Sequence, residues 1–154
     1  MRRILLVPLA VAAFGGASAA ADSINSIQIG IPRHARVGQT LRLTFSGRDS
    51  APSNTLGAEI DALLALPRAG GPLRCRSDLA LTEQNHPGAY IELARERPVD
   101  RGHRGYYTVH LYRKLHRPGR WRICAWQYNN EGISSTSSPA SHAMRTMLVL
   151  GGVG

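Results

Sequence analysis

The feature that most constrains this chain is a set of short segments in which apolar and polar residues alternate. In residues 39–47, apolar side chains stand at 41, 43 and 45 and polar side chains stand between them. Isoleucine occupies every second position of residues 27–31. Because successive side chains of a strand point to opposite faces, this period of two predicts strands with one buried face. The chain is therefore expected to consist mainly of β-strands.

Further segments have strand character and are separated by turn residues. Residues 105–112 and 121–128 alternate, with Pro118–Gly119 as a turn between them. Residues 89–93 and 144–150 are shorter candidates. Residues 58–66 contain helix-favouring Ala, Leu and Glu, but they are few, alternate and lie between strands, so we predict a strand. About seven short strands favour an antiparallel β-sandwich in one domain.

Other stretches are expected to lie outside strands. Residues 48–55 and 95–105 are polar and contain Pro or Gly, which predicts exposed loops, and 129–141 predicts a long Ser-rich loop. In the segment 77–88, Asp78 is a candidate N-cap for a single helical turn that Pro87–Gly88 would close.

The N-terminus predicts a secretory signal peptide. Met1 to Arg3 gives a positive start, residues 4–14 are apolar apart from Pro8, and small residues follow as far as Ala21. These are the three parts of a secretory signal, and the apolar run is shorter than the roughly 20 residues that cross a bilayer. We expect cleavage before residue 20 or 22, which gives a signal peptide, 1–21, and a mature domain, 22–154.

The chain contains two cysteines, Cys75 and Cys124. In an oxidising compartment, two cysteines of a small exported domain most often pair. The alternative, a metal site, would need more ligands at zinc-like spacing, and no C-x-x-C motif occurs. The bridge would span 124 − 75 = 49 residues, which the chain-entropy model values at roughly 4 kcal/mol.

The charge balance is basic. The formal net charge is +9 at pH 7, and loss of Arg2 and Arg3 leaves 17 basic and 10 acidic residues, or +7. Such a surface favours anionic partners such as envelope polymers, nucleic acid or acidic proteins. The alternative is that the many arginines reflect genome composition and solubility.

Two segments resemble those of immunoglobulin-like domains in small exported bacterial proteins. Residues 37–47, VGQTLRLTFSG, resemble the V-G-x-x-L/F-x-L-x-x-S-G strand early in such domains, and residues 118–126, PGRWRICAW, resemble their late P-G-x-[YW]-x-[IVL]-C-A-[YW] strand. The resemblance covers most of residues 26–150. It implies an immunoglobulin-like sandwich in which Cys124 pairs with Cys75, and it implies almost nothing about activity, because such sandwiches carry unrelated functions.

The chain departs from antibody-type domains in two ways. Arg122 stands two residues before the second cysteine, where those domains have Tyr. Cys124 also points to the face opposite Ile123 and Ala125. We therefore expect the disulfide to pin a covering segment to a sheet and not to bridge the two core faces.

Residues suited to catalysis form no known motif. The sequence has no G-x-S-x-G elbow, H-E-x-x-H pair or phosphate-binding glycine loop. His103, His110 and His116 lack the spacing that brings metal ligands together, and we interpret Glu59 and Asp61 as solvated charges on one strand face. The prediction is no enzyme activity, no metal and no cofactor.

Residues 100–128 carry the strongest binding signal. The segment holds seven Lys/Arg, one acid and six of the nine aromatic residues. If its two strands pair, they present one cationic, aromatic face, whose candidate binding residues are Tyr106, His110, Tyr112, Arg122, Trp126 and Tyr128. Such a face suits sugar rings or the bases and phosphates of nucleic acid. The alternative is a second buried aromatic layer covered by arginine stems.

The leading hypothesis is a secreted, non-catalytic binding or structural module of the bacterial cell exterior, extracellular or periplasmic. It would act through the cationic aromatic face or the loop 129–141. One alternative is a polyanion- or glycan-binding protein that depends on that face, and another is a hydrolase with a site scattered in sequence. Expected partners are anionic envelope polymers, glycans or other secreted proteins, and no membrane span is expected.

Overall fold

The computed structural model describes residues 25–50, 58–67, 73–85, 87–100, 102, 105–129 and 139–151. The predicted signal peptide, residues 130–138 of the Ser-rich loop and His103 lie outside these residues. Within them the chain forms eight strands and one helix. These are β1 (Ser26–Gly30), β2 (His34–Arg36), β3 (Thr40–Arg48), β4 (Ala58–Ala65), α1 (Leu79–Asn85), β5 (Tyr90–Pro98), β6 (Tyr106–Lys114), β7 (Gly119–Asn129) and β8 (Ser141–Leu150).

The strands form two sheets. One has three strands in the order β1-β3-β6, and the other has five in the order β2-β8-β7-β4-β5. The short β2 runs parallel to β8, and every other pair is antiparallel. The structure therefore confirms the predicted all-β, antiparallel sandwich.

The apolar face of each alternating strand lies between the sheets. Leu43 and Phe45 of β3 are buried against Ile123 of β7 and Met147 of β8, all within one apolar cluster. The period of two in the sequence thus identified the core side of these strands correctly.

A polar bridge crosses this core near one end of the sandwich. The Tyr107 hydroxyl lies 3.0 Å from Gln127 Oε1 and 3.2 Å from the Ser26 carbonyl oxygen, and Gln127 Nε2 donates to the Arg48 carbonyl at 3.2 Å. Burial raises the pKa of Tyr107. At Gly47, a Cβ atom would stand 1.8 Å from the Ser26 carbonyl oxygen, so β1 approaches too closely for any side chain. The hydrogen bonds of Gln127 join the two sheets, and the close approach at Gly47 holds β1 against β3.

The ambiguous segment 58–66 is the strand β4, as predicted. Seven of its eight residues are buried, because β4 is covered on both faces. Burial on both sides explains why its apolar residues do not alternate cleanly.

The predicted loop 95–105 is wrong in its first part, since β5 continues to Pro98. This edge strand exposes most of its residues and buries only Leu93, so its sequence has no apolar alternation to detect. Its pairing with β4 is irregular around Ala62, and Glu96 there has a positive φ of 46°.

Residues 73–85 and 87–89, between β4 and β5, fold over the five-stranded sheet, and we call them the covering segment. Asp78 caps α1, because its Oδ1 accepts from the backbone N–H of Ala80 at 2.7 Å and of Leu81 at 3.3 Å. Thr82, which is fully buried, accepts from the backbone N–H of Arg76 at 2.9 Å. The predicted helix is confirmed and extends to Asn85.

A disulfide joins Cys75 of the covering segment to Cys124 of β7, with a Cα–Cα distance of 5.6 Å. Cys124 points away from the main core into a second apolar cluster with Leu63, Leu79 and Trp126. The expectation of a bridge that pins a covering segment is therefore confirmed.

Candidate functional site

The six candidate binding residues do not share one face. Tyr106, His110 and Tyr112 lie on β6, which pairs with β3 in the three-stranded sheet. Arg122, Trp126 and Tyr128 lie on β7, which pairs with β4 and β8 in the five-stranded sheet. The condition for one shared face, pairing of these two strands, is not met, because the turn at Pro118–Gly119 carries the chain from one sheet to the other.

The β7 residues hold the covering segment in place. Trp126 is fully buried, and its Nε1 donates to the Arg76 carbonyl at 3.1 Å. Arg122 Nη1 donates to the Leu73 carbonyl. The Tyr128 hydroxyl accepts from the Leu79 N–H at 3.5 Å, and burial raises the pKa of Tyr128 to about 12. For these residues the alternative of a second buried aromatic layer is the correct one.

The β6 residues lie on an open surface that also includes β3. We call it the bare face and define it by the outward-facing residues of these paired strands. These are Thr40, Arg42, Thr44, Ser46 and Arg48 of β3 and Tyr106, Thr108, His110, Tyr112 and Lys114 of β6. Tyr106 and Tyr112 are its most prominent apolar groups, with 58% and 60% of their surface exposed. Small hydroxyl side chains fill the middle of the face between the two rings.

Arg42 and His110 join the two strands across the bare face. Arg42 Nη2 lies 2.7 Å from His110 Nε2, and Thr44 Oγ1 lies 3.2 Å from His110 Nδ1. Arg42 can only donate, so the ring nitrogen of His110 that it contacts is the acceptor. The contact ties the Arg42 side chain of β3 to β6, and Arg42 is the register partner of Tyr112.

Charge is distributed unevenly over the described residues. The strands β1, β3 and β6 contain no Asp or Glu, whereas β4, β5 and α1 contain Glu59, Asp61, Glu83, Glu92 and Glu96. On the bare face, Arg48 stands over the Tyr106 ring with 5.7 Å between its guanidinium carbon and the ring centroid. This face is therefore cationic and aromatic, with hydroxyl groups but no carboxylate.

Two open clefts of about 380 Å³ and 310 Å³ lie beside Pro87 and Gly88 of the covering segment. Glu83 and Glu92 line the larger cleft, and Arg95 binds both carboxylates, at 2.5 Å and 3.2 Å. These carboxylates are already ion-paired, and the geometry assigns them no acid–base role.

The interpretation of Glu59 and Asp61 as solvated charges is wrong for Asp61. Asp61 is 7% exposed, and its Oδ1 accepts from the Glu96 N–H at 2.6 Å. Burial raises its pKa above the ordinary value of 3.8, against the opposing effects of that hydrogen bond and of Arg95. Alternation correctly predicted that Asp61 points to the outer face of β4. It did not show that other parts of the chain cover this face.

In the described part of the chain, no three His, Cys, Asp or Glu side chains lie close enough together to hold a metal ion. His110 contacts Arg42, and His116 follows the end of β6. Within the same residues, no helix is long and apolar enough to cross a membrane.

Sequence analysis missed the β3 half of the bare face. Its signal was present, since Arg42 and Thr44 alternate with core leucines. The sequence did not show that this polar side would lie beside the polar side of β6, whose contacting residue His110 is 68 positions from Arg42.

Comparison with solved structures agrees with this architecture. HBP35 of Porphyromonas gingivalis matches 80% of this chain with a TM-score of 0.54 and 12% identity, and this chain spans 40% of the HBP35 chain. The CARDB domain of the PF1109 protein from Pyrococcus furiosus, in complex with di-metal ions, matches 82% of this chain and 88% of its own (TM-score 0.48, 9% identity). A cohesin module of a Clostridium perfringens family 33 glycoside hydrolase matches 84% and 99% (TM-score 0.43, 7% identity).

At these identities the likeness concerns the fold alone. No protein-family model matches the chain, and no curated protein matches it in sequence. The chain has an immunoglobulin-like β-sandwich fold with one disulfide-pinned covering segment.

Proposed function

We propose that this chain is an exported, non-catalytic binding module that works in an oxidising compartment of the bacterial cell exterior. The disulfide carries the proposal, since such bonds form and persist in oxidising compartments and are rare in the cytosol. The bridge holds the covering segment over Trp126 and the second apolar cluster. The signal-like residues 1–21 are consistent with the same compartment.

Binding would take place on the bare face. Its two exposed tyrosines contrast with Trp126 and Tyr128, which are committed to the covering segment. Exposed aromatic side chains beside arginine are typical of recognition surfaces. The proposed binding residues are therefore Tyr106, His110 and Tyr112 together with Arg42.

Mass spectrometry of the exported product tests the proposal. We expect an N-terminus at residue 20 or 22 and a mass lower by two hydrogens than the reduced chain, with no thiol available for alkylation. A matched control is the chain begun at Asp22 and expressed in a reducing cytosol, which should alkylate at Cys75 once unfolded. An intact N-terminus and two free thiols in the native cell would contradict the proposal.

A further inference from the structure

Charge, aromatic spacing and hydroxyl content together define a ligand class for the bare face. The bare face carries Arg42, Arg48 and Lys114 and no acid, since the described acids of strands and helix lie on β4, β5 and α1. An anionic ligand would therefore meet attraction on this face.

The two exposed tyrosines are spaced for an extended ligand. Tyr106 and Tyr112 are six residues apart on one strand and point to the same side, which places them about 20 Å apart at the usual rise of a strand. The small side chains of Ser46, Thr108 and Thr44 lie between them. The two tyrosines thus stand at the two ends of a polar strip of the sheet surface, which is long enough for a segment of a linear polymer.

The spacing of the cationic side chains on the bare face distinguishes nucleic acid from other anionic polymers as the ligand. A nucleic-acid strand carries one phosphate about every 3.4 Å when stacked, or about six over this distance. Arg48 and Arg42 stand six residues apart at the same two ends as the tyrosines, and no Lys or Arg lies between them on the bare face, only hydroxyl groups and His110. Widely spaced cations with intervening hydrogen-bonding groups fit a polymer with sparse anionic groups and many hydroxyls.

We propose that the bare face binds a linear acidic polysaccharide along β3 and β6. Tyr106 and Tyr112 stack on sugar rings through their apolar faces, Arg48 and Arg42 bind carboxylate groups, and Thr44, Ser46 and Thr108 bind ring hydroxyls. This inference rests on the proposed function, because it names the ligand of the exported module.

Affinity for hyaluronate, a linear polysaccharide with a carboxylate on every second sugar, tests the inference on the full chain, expressed for export and purified in the form that the host releases. Calorimetry at low salt should show binding that weakens about tenfold in Tyr112→Ala and in Arg42→Ala, the loss of one stacking or one charged contact. Tyr112→Phe should keep the affinity within about twofold, since stacking survives.

The matched control is Arg120→Ala, which removes the same charge from an exposed position on β7, in the other sheet. We expect less than about a twofold change, because the site and not the net charge supplies the affinity. A loss equal to that of Arg42→Ala would overturn the inference in favour of nonspecific charge attraction.

Two further probes exclude the other polymer classes. Neutral dextran should bind at least about tenfold more weakly than hyaluronate, and so should a single-stranded oligodeoxythymidylate. Equal or tighter binding of either probe, or no binding of hyaluronate, would overturn the inference. The same preparation is checked for its N-terminus and thiols, so absent binding by a processed, disulfide-bonded chain refutes the ligand class and leaves the export proposal standing.

Discussion

The outer faces of the two sheets differ although their strands carry similar sequences. On the five-stranded sheet, the outward aromatic Trp126 is fully buried beneath the covering segment. On the three-stranded sheet, the outward aromatic Tyr112 is 60% exposed. Both residues belong to strands that alternate apolar and polar positions, so the position within a strand does not decide their exposure.

The insertion between β4 and β5 makes the difference. It brings α1 and Cys75 over β4 and β7, where the disulfide to Cys124 fixes it. The strands β3 and β6 have no such cover among the described residues, and Tyr106 and Tyr112 are exposed there. The same kind of aromatic strand thus serves stability in one sheet and, under the proposed function, recognition in the other.

The largest expected effect is loss of the disulfide. Replacement of both cysteines, Cys75→Ala with Cys124→Ala, should lower the free energy of unfolding by about 4 kcal/mol, because the unfolded chain regains the freedom of a 49-residue loop. Urea unfolding followed by tryptophan fluorescence measures the change. Lys114→Ala, at an exposed position of the bare face, is the control, with an expected change below about 0.5 kcal/mol. A double-variant loss under about 1 kcal/mol would mean that packing alone holds the covering segment.

The two outward aromatics should respond very differently to truncation. We expect Trp126→Ala to cost about 3 kcal/mol, because it opens a cavity and leaves the Arg76 carbonyl without its donor. Tyr112→Ala should cost less than about 0.5 kcal/mol, as for other exposed positions. Urea midpoints of the two variants give the comparison. Similar losses would show that the bare face is covered in solution.

The helix cap makes a smaller contribution to the covered face. Asp78→Ala removes the acceptor for the N–H groups of Ala80 and Leu81, and we expect a loss of about 1 kcal/mol in unfolding free energy. The exposed Asp100→Ala is the charge-matched control and should change stability by less than about 0.5 kcal/mol. Equal effects would indicate a general charge effect and not a cap.

The smallest effect concerns the buried Asp61 and depends on pH. Burial raises its pKa above 3.8 in the folded state, so the folded chain binds this proton more tightly than the unfolded chain does. Its carboxylate therefore weakens folding increasingly as pH rises from 3.8 through the raised folded value. Asp61→Asn keeps an acceptor for the Glu96 N–H and should match the wild type in acid but be more stable at pH 7.

Stability measured across this pH range checks the sign. A wild type that is the more stable protein at pH 7 would mean that the Glu96 hydrogen bond and Arg95 outweigh the cost of burial. A corresponding change at the exposed Asp100, Asp100→Asn, serves as the comparison for a solvated carboxylate.

Local sequence was sufficient for some elements and not for others. The alternation in β3, β6 and β7 predicted these strands, and the composition of residues 77–88 predicted the capped helix. The predicted range of the edge strand β5 was too short, because a strand that exposes most of its residues has no apolar alternation. Asp61 was misjudged because its cover comes from elsewhere in the chain.

The sequence by itself determined the all-β class, the core side of the main strands and the disulfide with its outward-facing Cys124. These depend on neighbouring residues, on the period of a strand and on the presence of just two thiols. Only the tertiary structure decided that β6 pairs with β3 and not with β7, and so which aromatic residues stay exposed. Strand partners are selected by packing between residues far apart in sequence, and no local pattern records that choice.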